Sequence, residues 1–116
     1  HTHQSLAGVS VYGTSKGAIG SMTRALAVEW AAFNIQVNAI APGFIRTDLN
    51  AALWAQPVMK EWAETRTPAG RIGEPKDVVG AALFLASAAS DFIAGQVLYV
   101  DGGFTAGSTW PLTVPR

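Results

Sequence analysis

Apolar residues recur at three- and four-residue steps between residues 10 and 33, and this period predicts a long helix. Asn34 follows it, and asparagine tolerates the left-handed conformation that ends many helices. Residues 35–41 are mostly apolar and rich in strand-forming side chains, which predicts a short buried strand that Pro42 and Gly43 end. A helix, a tight turn and a buried strand in this order are typical of a crossover in a parallel sheet.

Two short helices are predicted next. Thr47 or Asp48 can cap the first, over residues 49–55, and Pro57 is suited to the first turn of the second. The tryptophans of this segment, which the pattern predicts to be exposed, are Trp54 and Trp62. We therefore expect residues 48–70 to form a mobile substrate lid, with an ordinary pair of surface helices as the alternative.

A further helix and strand follow. Pro75 suits the first turn of a helix that continues to about Ser87, with an apolar face, and Glu74 and Asp77 complement the positive end of its dipole. Residues 97–100 are apolar and precede the turn sequence DGG, which predicts a second buried strand. The pattern as a whole predicts an α/β fold with helices packed on parallel strands.

The composition of the chain narrows the range of possible functions. The 116 residues suffice for one domain, and a formal net charge of zero gives no sign of a nucleic-acid or membrane partner. The absence of cysteine excludes thiolate nucleophiles and cysteine-based metal sites. His1 and His3 have a spacing that suits a metal, but no third ligand is recognisable, so we predict no metal site. The longest apolar stretch, residues 78–90, is too short to span a bilayer, and we expect a soluble, cytoplasmic protein.

Tyr12 and Lys16 stand four residues apart in the sequence YGTSK, at the start of the predicted long helix. Side chains at this spacing share a helix face, with Cβ atoms about 5–6 Å apart. A phenol has an ordinary pKa of about 10, and an ammonium group within about 4–6 Å favours the phenolate and lowers that pKa. The pair is therefore a candidate acid/base catalyst. The alternative is a packed tyrosine beside a solvated lysine.

Four segments, in collinear order, resemble the C-terminal half of the short-chain dehydrogenase/reductase family. YGTSKGA resembles the Tyr-x-x-x-Lys helix of the family, and VNAIAPGFIRTDL resembles its cofactor-facing strand and loop. RIGEPKDV and GQVLYVDGG resemble its last helix and strand. The resemblance implies a partial Rossmann-type doubly wound parallel sheet, with residues 1–116 forming the C-terminal portion of a single domain.

The activity that this resemblance implies is reversible hydride transfer between NAD or NADP and an alcohol or ketone. Tyr12 would exchange the hydroxyl proton, and Lys16 would lower the pKa of Tyr12 and bind the nicotinamide ribose. The backbone of Ile45 and the side chain of Thr47 would hold the carboxamide. Asn38, in the strand, is expected to make a structural hydrogen bond. The implied cofactor-binding residues are Tyr12, Lys16, Pro42, Gly43, Ile45 and Thr47.

The lid segment and the following TPAGR look most like gluconate 5-dehydrogenase-type members, which act on sugar acids. The 3-oxoacyl-carrier-protein reductases are the alternative. The glycine-rich phosphate loop, the catalytic serine and the active-site asparagine of the family would precede His1, and the residues that select NAD or NADP would lie there too. We therefore expect this chain alone to be inactive. A truncated, non-catalytic oligomerising module and an unrelated α/β binding protein are the other hypotheses, and the resemblance implies a homo-oligomer, either a tetramer or a dimer.

Overall fold

The structure, a computed structural model, describes residues 10–111, with side chains described from residue 17 onward. Its sheet has two parallel strands, β1 (Ala39–Pro42) and β2 (Val97–Val100), in a register that pairs Ala39 with Val97 and Pro42 with Val100. The α-helices of the described residues are α1 (Ser10–Trp30), α2 (Ala51–Trp54), α3 (Pro57–Arg66) and α4 (Lys76–Leu85). The predicted α/β fold is therefore observed.

Helix α1 ends as predicted. A 3-10 turn (Ala31–Phe33) extends it, and Asn34 then adopts a left-handed conformation with φ of 57°. The Asn34 N–H donates to the carbonyl of Ala31 at 3.0 Å, which satisfies one of the carbonyls at the helix end. The left-handed residue turns the chain from α1 toward the sheet.

Strand β1 begins at Ala39, so the predicted start at residue 35 is wrong. The segment that would pair with residues 35–38 explains the difference. Gly95, just before β2, turns with a φ of 75° and leaves residues 35–38 without a regular ladder. Single hydrogen bonds replace the ladder there, including one from the Gly95 N–H to the Val37 carbonyl at 2.8 Å. Asn38 adds two more: its Nδ2 donates to the Ile93 carbonyl at 2.9 Å, and its Oδ1 accepts from the Gln96 N–H at 3.0 Å. Its predicted structural role is confirmed.

Strand β1 includes Pro42, which was predicted to end it. The Ala39 N–H donates to the Gln96 carbonyl, just before β2, at 2.9 Å, and the Gly43 N–H donates to the Val100 carbonyl at 3.0 Å. The backbone groups of Pro42 therefore point to the opposite edge of β1. A missing N–H at that position costs nothing in the β1–β2 ladder. Strand β1 therefore continues through Pro42 to the loop that begins at Gly43.

Helices α2 and α3 contribute one residue each to a buried hydrophobic cluster that also includes Ile72. Trp54 is 6% exposed, and Ala63 and Ile72 are buried beside it. Phe44 packs against both tryptophans, with ring centroids 5.6 Å from Trp54 and 5.4 Å from Trp62. Trp54 is buried and Trp62 is half-buried, so the prediction that both are exposed is wrong, because Phe44 from the loop after β1 packs on both rings.

Helix α4 ends at Leu85, two residues before the predicted end, and leaves much of its apolar face open. Val79 and Leu83 are more than half exposed, and no other described element covers them. No described helix is both long enough and apolar enough to cross a bilayer. The described sheet has two strands, so each strand also keeps one unpaired edge.

Candidate functional site

The loop after β1 is held by a two-sided bridge to residue 73. The Gly73 N–H donates to the Phe44 carbonyl at 2.8 Å, and the Arg46 N–H donates to the Gly73 carbonyl at 2.8 Å. Both groups belong to neighbours of Ile45, so its own N–H and C=O point away from Gly73. The bridge thus turns the peptide groups of Ile45 to the other side of the loop.

The Asn50 side chain holds the side of the loop that faces away from Gly73. Its Nδ2 donates to the Ile45 carbonyl at 2.8 Å, and its Oδ1 accepts from the Thr47 N–H at 2.6 Å. Asn50 is also the residue before α2, so the helix cap predicted at Thr47 or Asp48 lies later than expected. With both ends of its amide engaged, Asn50 fixes the backbone from residue 45 to residue 47.

Arg71 and Asp77 hold residue 73 in place. The Arg71 guanidinium makes two hydrogen bonds to the Asp77 carboxylate, at 2.8 and 2.9 Å, and that carboxylate also accepts from the Glu74 N–H at 2.7 Å. The Arg71 hydrogen bonds, followed by the Glu74 N–H, hold the pKa of the Asp77 carboxyl far below its ordinary value of 3.8. Asp77 therefore stays ionised and joins the start of α4 to the bridge.

We expect Asp77→Asn to lower the melting temperature at neutral pH, because asparagine keeps an acceptor for Glu74 N–H but loses the charge that pairs with Arg71. A lowered pKa stabilises the folded state above the ordinary value of 3.8, and the benefit is lost as pH falls below it. The gap in melting temperature between wild type and variant should therefore close in acid. Glu64→Gln, which breaks only a 3.5 Å surface pair with Lys60, is the control and should change little. A gap that stays constant down to strongly acidic pH would rule out the charge effect.

Asp101 fixes the turn after β2 beside Gly43. Burial alone would raise the pKa of the Asp101 carboxyl, but hydrogen bonds from the Thr105 hydroxyl, the Thr105 N–H and the Gly103 N–H outweigh it, so the pKa is lowered. A Cβ built on Gly43 would lie 2.8 Å from the Cα of Asp101. Only glycine therefore fits where the two strand ends meet.

A pocket of about 420 Å³ lies along β1 and the loop that follows it. Its wall is mainly apolar, with a polar corner made by Thr47 and Asn50. The described residues that line it are Ile19 and Gly20 of α1, the four residues of β1, Gly43, Phe44, Ile45, Thr47, Asn50, Trp54, Val78 and Val97. In parallel sheets, ligands collect beyond the carboxyl ends of the strands, and the part of this pocket lined by Gly43, Ile45 and Thr47 has that position.

Four of the predicted cofactor-binding residues thus lie together along this pocket. They are Pro42, Gly43, Ile45 and Thr47. Tyr12 and Lys16 belong to α1, but their side chains lie outside the described residues, as do His1 and His3. Within the described range, no group of three or more histidine or acidic side chains is arranged to hold a metal.

Two residues of this site, Asn50 and Trp54, were not predicted from the sequence. Asn50 had a local signal, since an asparagine directly before a short helix is a common cap, but its bonds to Ile45 and Thr47 depend on the loop geometry. Trp54 had no such signal. Its Nε1 is buried and has no acceptor among the described residues, which costs about 1–3 kcal/mol for an unpaired donor.

Comparisons with known proteins give the family. The family model described as Enoyl-(Acyl carrier protein) reductase matches residues 1–105. The 5-keto-D-gluconate 5-reductase of Escherichia coli (strain K12) is 48% identical over 95 residues, which are 82% of this chain and 37% of that protein. The chain therefore spans less than two fifths of this curated relative.

Solved structures of similar proteins indicate the same family. A gluconate 5-dehydrogenase from Burkholderia cenocepacia J2315, in complex with NADP and tartrate, matches with a TM-score of 0.86 and 43% identity over 91% of this chain and 42% of that chain. A short-chain type dehydrogenase/reductase from Mycobacterium ulcerans matches with a TM-score of 0.79 and 40% identity over 84% of this chain and 35% of that chain. The predicted partial Rossmann-type parallel sheet is confirmed by these matches, and the chain belongs to the short-chain dehydrogenase/reductase family.

Proposed function

We propose that the complete protein is an NAD(P)-dependent oxidoreductase that interconverts an alcohol and a ketone on a sugar acid. Residues 1–116 would supply its proton-transfer pair and the loop that holds the nicotinamide. The observation that carries the proposal is the pocket of about 420 Å³ that Gly43, Ile45 and Thr47 line at the end of β1.

Helical spacing supports a role for Tyr12 and Lys16 at this pocket. Gly20 of α1 lines it, and Lys16 and Tyr12 come four and eight residues before Gly20 in the same helix. Residues four apart share a helix face. Lys16 and Tyr12 would then lie on or beside the face of α1 that lines the pocket.

The polar corner of the pocket fits the amide end of a nicotinamide. The peptide groups of Ile45 point away from Gly73, and the Thr47 side chain lies beside them on a backbone that Asn50 fixes. A carboxamide has both a donor and an acceptor, which matches a backbone C=O, a backbone N–H and a hydroxyl. The apolar wall contributed by β1 suits the flat face of the ring.

The chemistry assigned to this chain is proton transfer. When bound, NAD(P) supplies or accepts the hydride. Tyr12 would give its phenolic proton to the carbonyl oxygen during reduction and would take it back during oxidation. The Lys16 ammonium would favour the phenolate of Tyr12 and so bring its pKa closer to the working pH.

The relatives support the sugar-acid class and the cofactor. The Escherichia coli relative is named a 5-keto-D-gluconate 5-reductase, and the Burkholderia structure contains NADP and tartrate. The lid over residues 48–70 would then cover a polar substrate beside the pocket.

We also propose that the complete protein is a cytoplasmic homo-oligomer. Val28 and Phe33, at the end of α1 and just after it, are largely exposed, and Leu83 of α4 is exposed as well. Apolar surface of this kind marks contacts with other protein surfaces. A second subunit and the rest of the domain are the partners that could cover it.

The substrate class can be tested with the complete protein and a 5-keto sugar acid, with a 3-oxoacyl thioester as the comparison, by following NADPH or NADH consumption. We expect turnover with the keto sugar acid at a kcat/KM of about 10⁴ M⁻¹s⁻¹ or more. Preference for the thioester would favour the reductases of acyl-carrier-protein substrates instead. Absence of both NADPH binding and turnover would favour a non-catalytic oligomerising module.

A further inference from the structure

Trp54 carries a buried donor for which the fold provides no acceptor. The residue is 6% exposed, and its Nε1 has no hydrogen-bond partner among the described residues. Trp54 packs in a cluster with Phe44, Ala63 and Ile72, whose side chains offer no acceptor. Buried polar groups in folded proteins are nearly always paired, so a partner from outside this part of the chain is indicated.

Trp54 also lines the pocket, together with Thr47 and Asn50. Asn50, at the start of α2, and Trp54 are four residues apart and so share one side of α2, and Thr47 lies in the loop before it. The opposite side carries Leu49, which is 97% exposed, and Leu53, which is 40% exposed. The side of this segment that lines the pocket therefore carries Thr47, Asn50 and Trp54, whereas Leu49 and Leu53 do not line it.

We propose that the indole N–H of Trp54 is a substrate-binding donor that hydrogen-bonds an oxygen of the sugar acid, either a hydroxyl or a carboxylate oxygen. This inference rests on the proposed function. The Nε1 atom is covered in the described conformation, so the bond requires α2 to shift. Helix α2 is a single turn of four residues whose leucines are exposed, so the packing that such a shift must give up is that of Trp54 against Phe44, Ala63 and Ile72. Trp54 then sets the specificity for oxygen-rich substrates.

The test is Trp54→Phe in the complete protein, because phenylalanine keeps an aromatic ring and removes only the donor and part of the volume. We expect kcat/KM for the sugar acid to fall about 10- to 100-fold, the loss typical of a hydrogen bond to a substrate oxygen, while KM for the cofactor stays unchanged. Trp62→Phe is the matched control. Trp62 packs on the same Phe44 ring but does not line the pocket, so its kcat/KM should stay within about twofold of wild type.

Deoxy analogues of the sugar acid extend the test. If Trp54 binds a hydroxyl, the analogue that lacks this hydroxyl should lose activity with the wild type but lose nothing further with Trp54→Phe, as in a double-mutant cycle. If each deoxy analogue lowers kcat/KM by the same factor for the wild type and for Trp54→Phe, the bond is to the carboxylate. The amide analogue of the acid should then lower kcat/KM for the wild type but not further for Trp54→Phe.

The inference fails if Trp54→Phe keeps the wild-type kcat/KM for the sugar acid while the melting temperature holds or rises, which is the result for a structural donor without a partner. If Trp54→Phe does not fold, the indole N–H resonance of Trp54 in the wild type decides instead. It should shift when substrate saturates the protein, and an unchanged resonance would overturn the proposal. Absence of wild-type turnover with any sugar acid would overturn the proposed function, a result distinct from either of these.

Discussion

Tyr12→Phe in the complete protein should lower kcat by about 10²–10⁴-fold, the usual contribution of a positioned acid/base group. Phenylalanine keeps the ring and removes only the hydroxyl, so the carbonyl oxygen has no proton donor at that point. The pocket that Ile45 and Thr47 line should be unaffected, because the variant changes neither the bridge to Gly73 nor the Asn50 contacts. The Kd for NADPH should therefore stay within about threefold of wild type, a change of less than one hydrogen bond. Steady-state kinetics and a fluorescence titration of NADPH measure the two quantities.

Tyr99→Phe is the matched control, since Tyr99 carries the other phenol of the chain and belongs to β2. Its kcat should stay close to wild type. Turnover retained by Tyr12→Phe would refute the acid/base role. A loss of NADPH binding that equals the loss of turnover would show instead that Tyr12 acts through the cofactor.

Gly43→Ala should destabilise the complete protein by about 1–3 kcal/mol, as overpacking typically does. The added Cβ would lie 2.8 Å from the Cα and Cβ of Asp101, and Asp101 cannot move easily, because its carboxylate accepts three hydrogen bonds from Gly103 and Thr105. Relief of the clash would have to separate the ends of β1 and β2 and stretch the 3.0 Å bond from the Gly43 N–H to the Val100 carbonyl. Because Gly43 lines the pocket, KM for the cofactor should rise as well.

Chemical denaturation of the two proteins measures this loss. Gly80→Ala is the control, because a Cβ at that position of α4 would meet no atom within 4 Å among the described residues, and alanine favours a helix over glycine by about 0.5–1 kcal/mol. The free energy of unfolding should therefore fall in Gly43→Ala and rise in Gly80→Ala. A Gly43→Ala variant as stable as wild type would mean that the strand ends separate without cost.

The prediction of β2 from the sequence succeeded because its signals are local. An apolar run between Gly95 and Asp101 fixes both ends, and the strand is observed at Val97–Val100. The start of β1 could not be predicted from local signals. Residues 35–38 have strand-forming composition, but whether they join a ladder depends on Gly95, which is distant in sequence and turns away from them.

The candidate site was predictable only where it follows strand ends. The sequence PGFIRT after an apolar run indicated a binding loop, and Gly43, Ile45 and Thr47 do line one pocket. The contacts that shape this pocket were hidden, because the amide of Asn50 meets backbone groups whose direction is set by the bridge to Gly73. The burial of Trp54 was misjudged for the same reason, since the ring that covers it belongs to Phe44, on the loop after β1.

The most direct test of the central claim follows the hydride itself. The complete protein would be incubated with NADP and a sugar acid that carries deuterium on the carbon to be oxidised, and the products would be examined by mass spectrometry and NMR. We predict one deuterium on the nicotinamide ring for each ketone formed, none of it exchanged with water, and about 10²–10⁴-fold slower transfer in Tyr12→Phe. Ketone formation without deuterium on the nicotinamide, or transfer at the wild-type rate in Tyr12→Phe, would contradict the account.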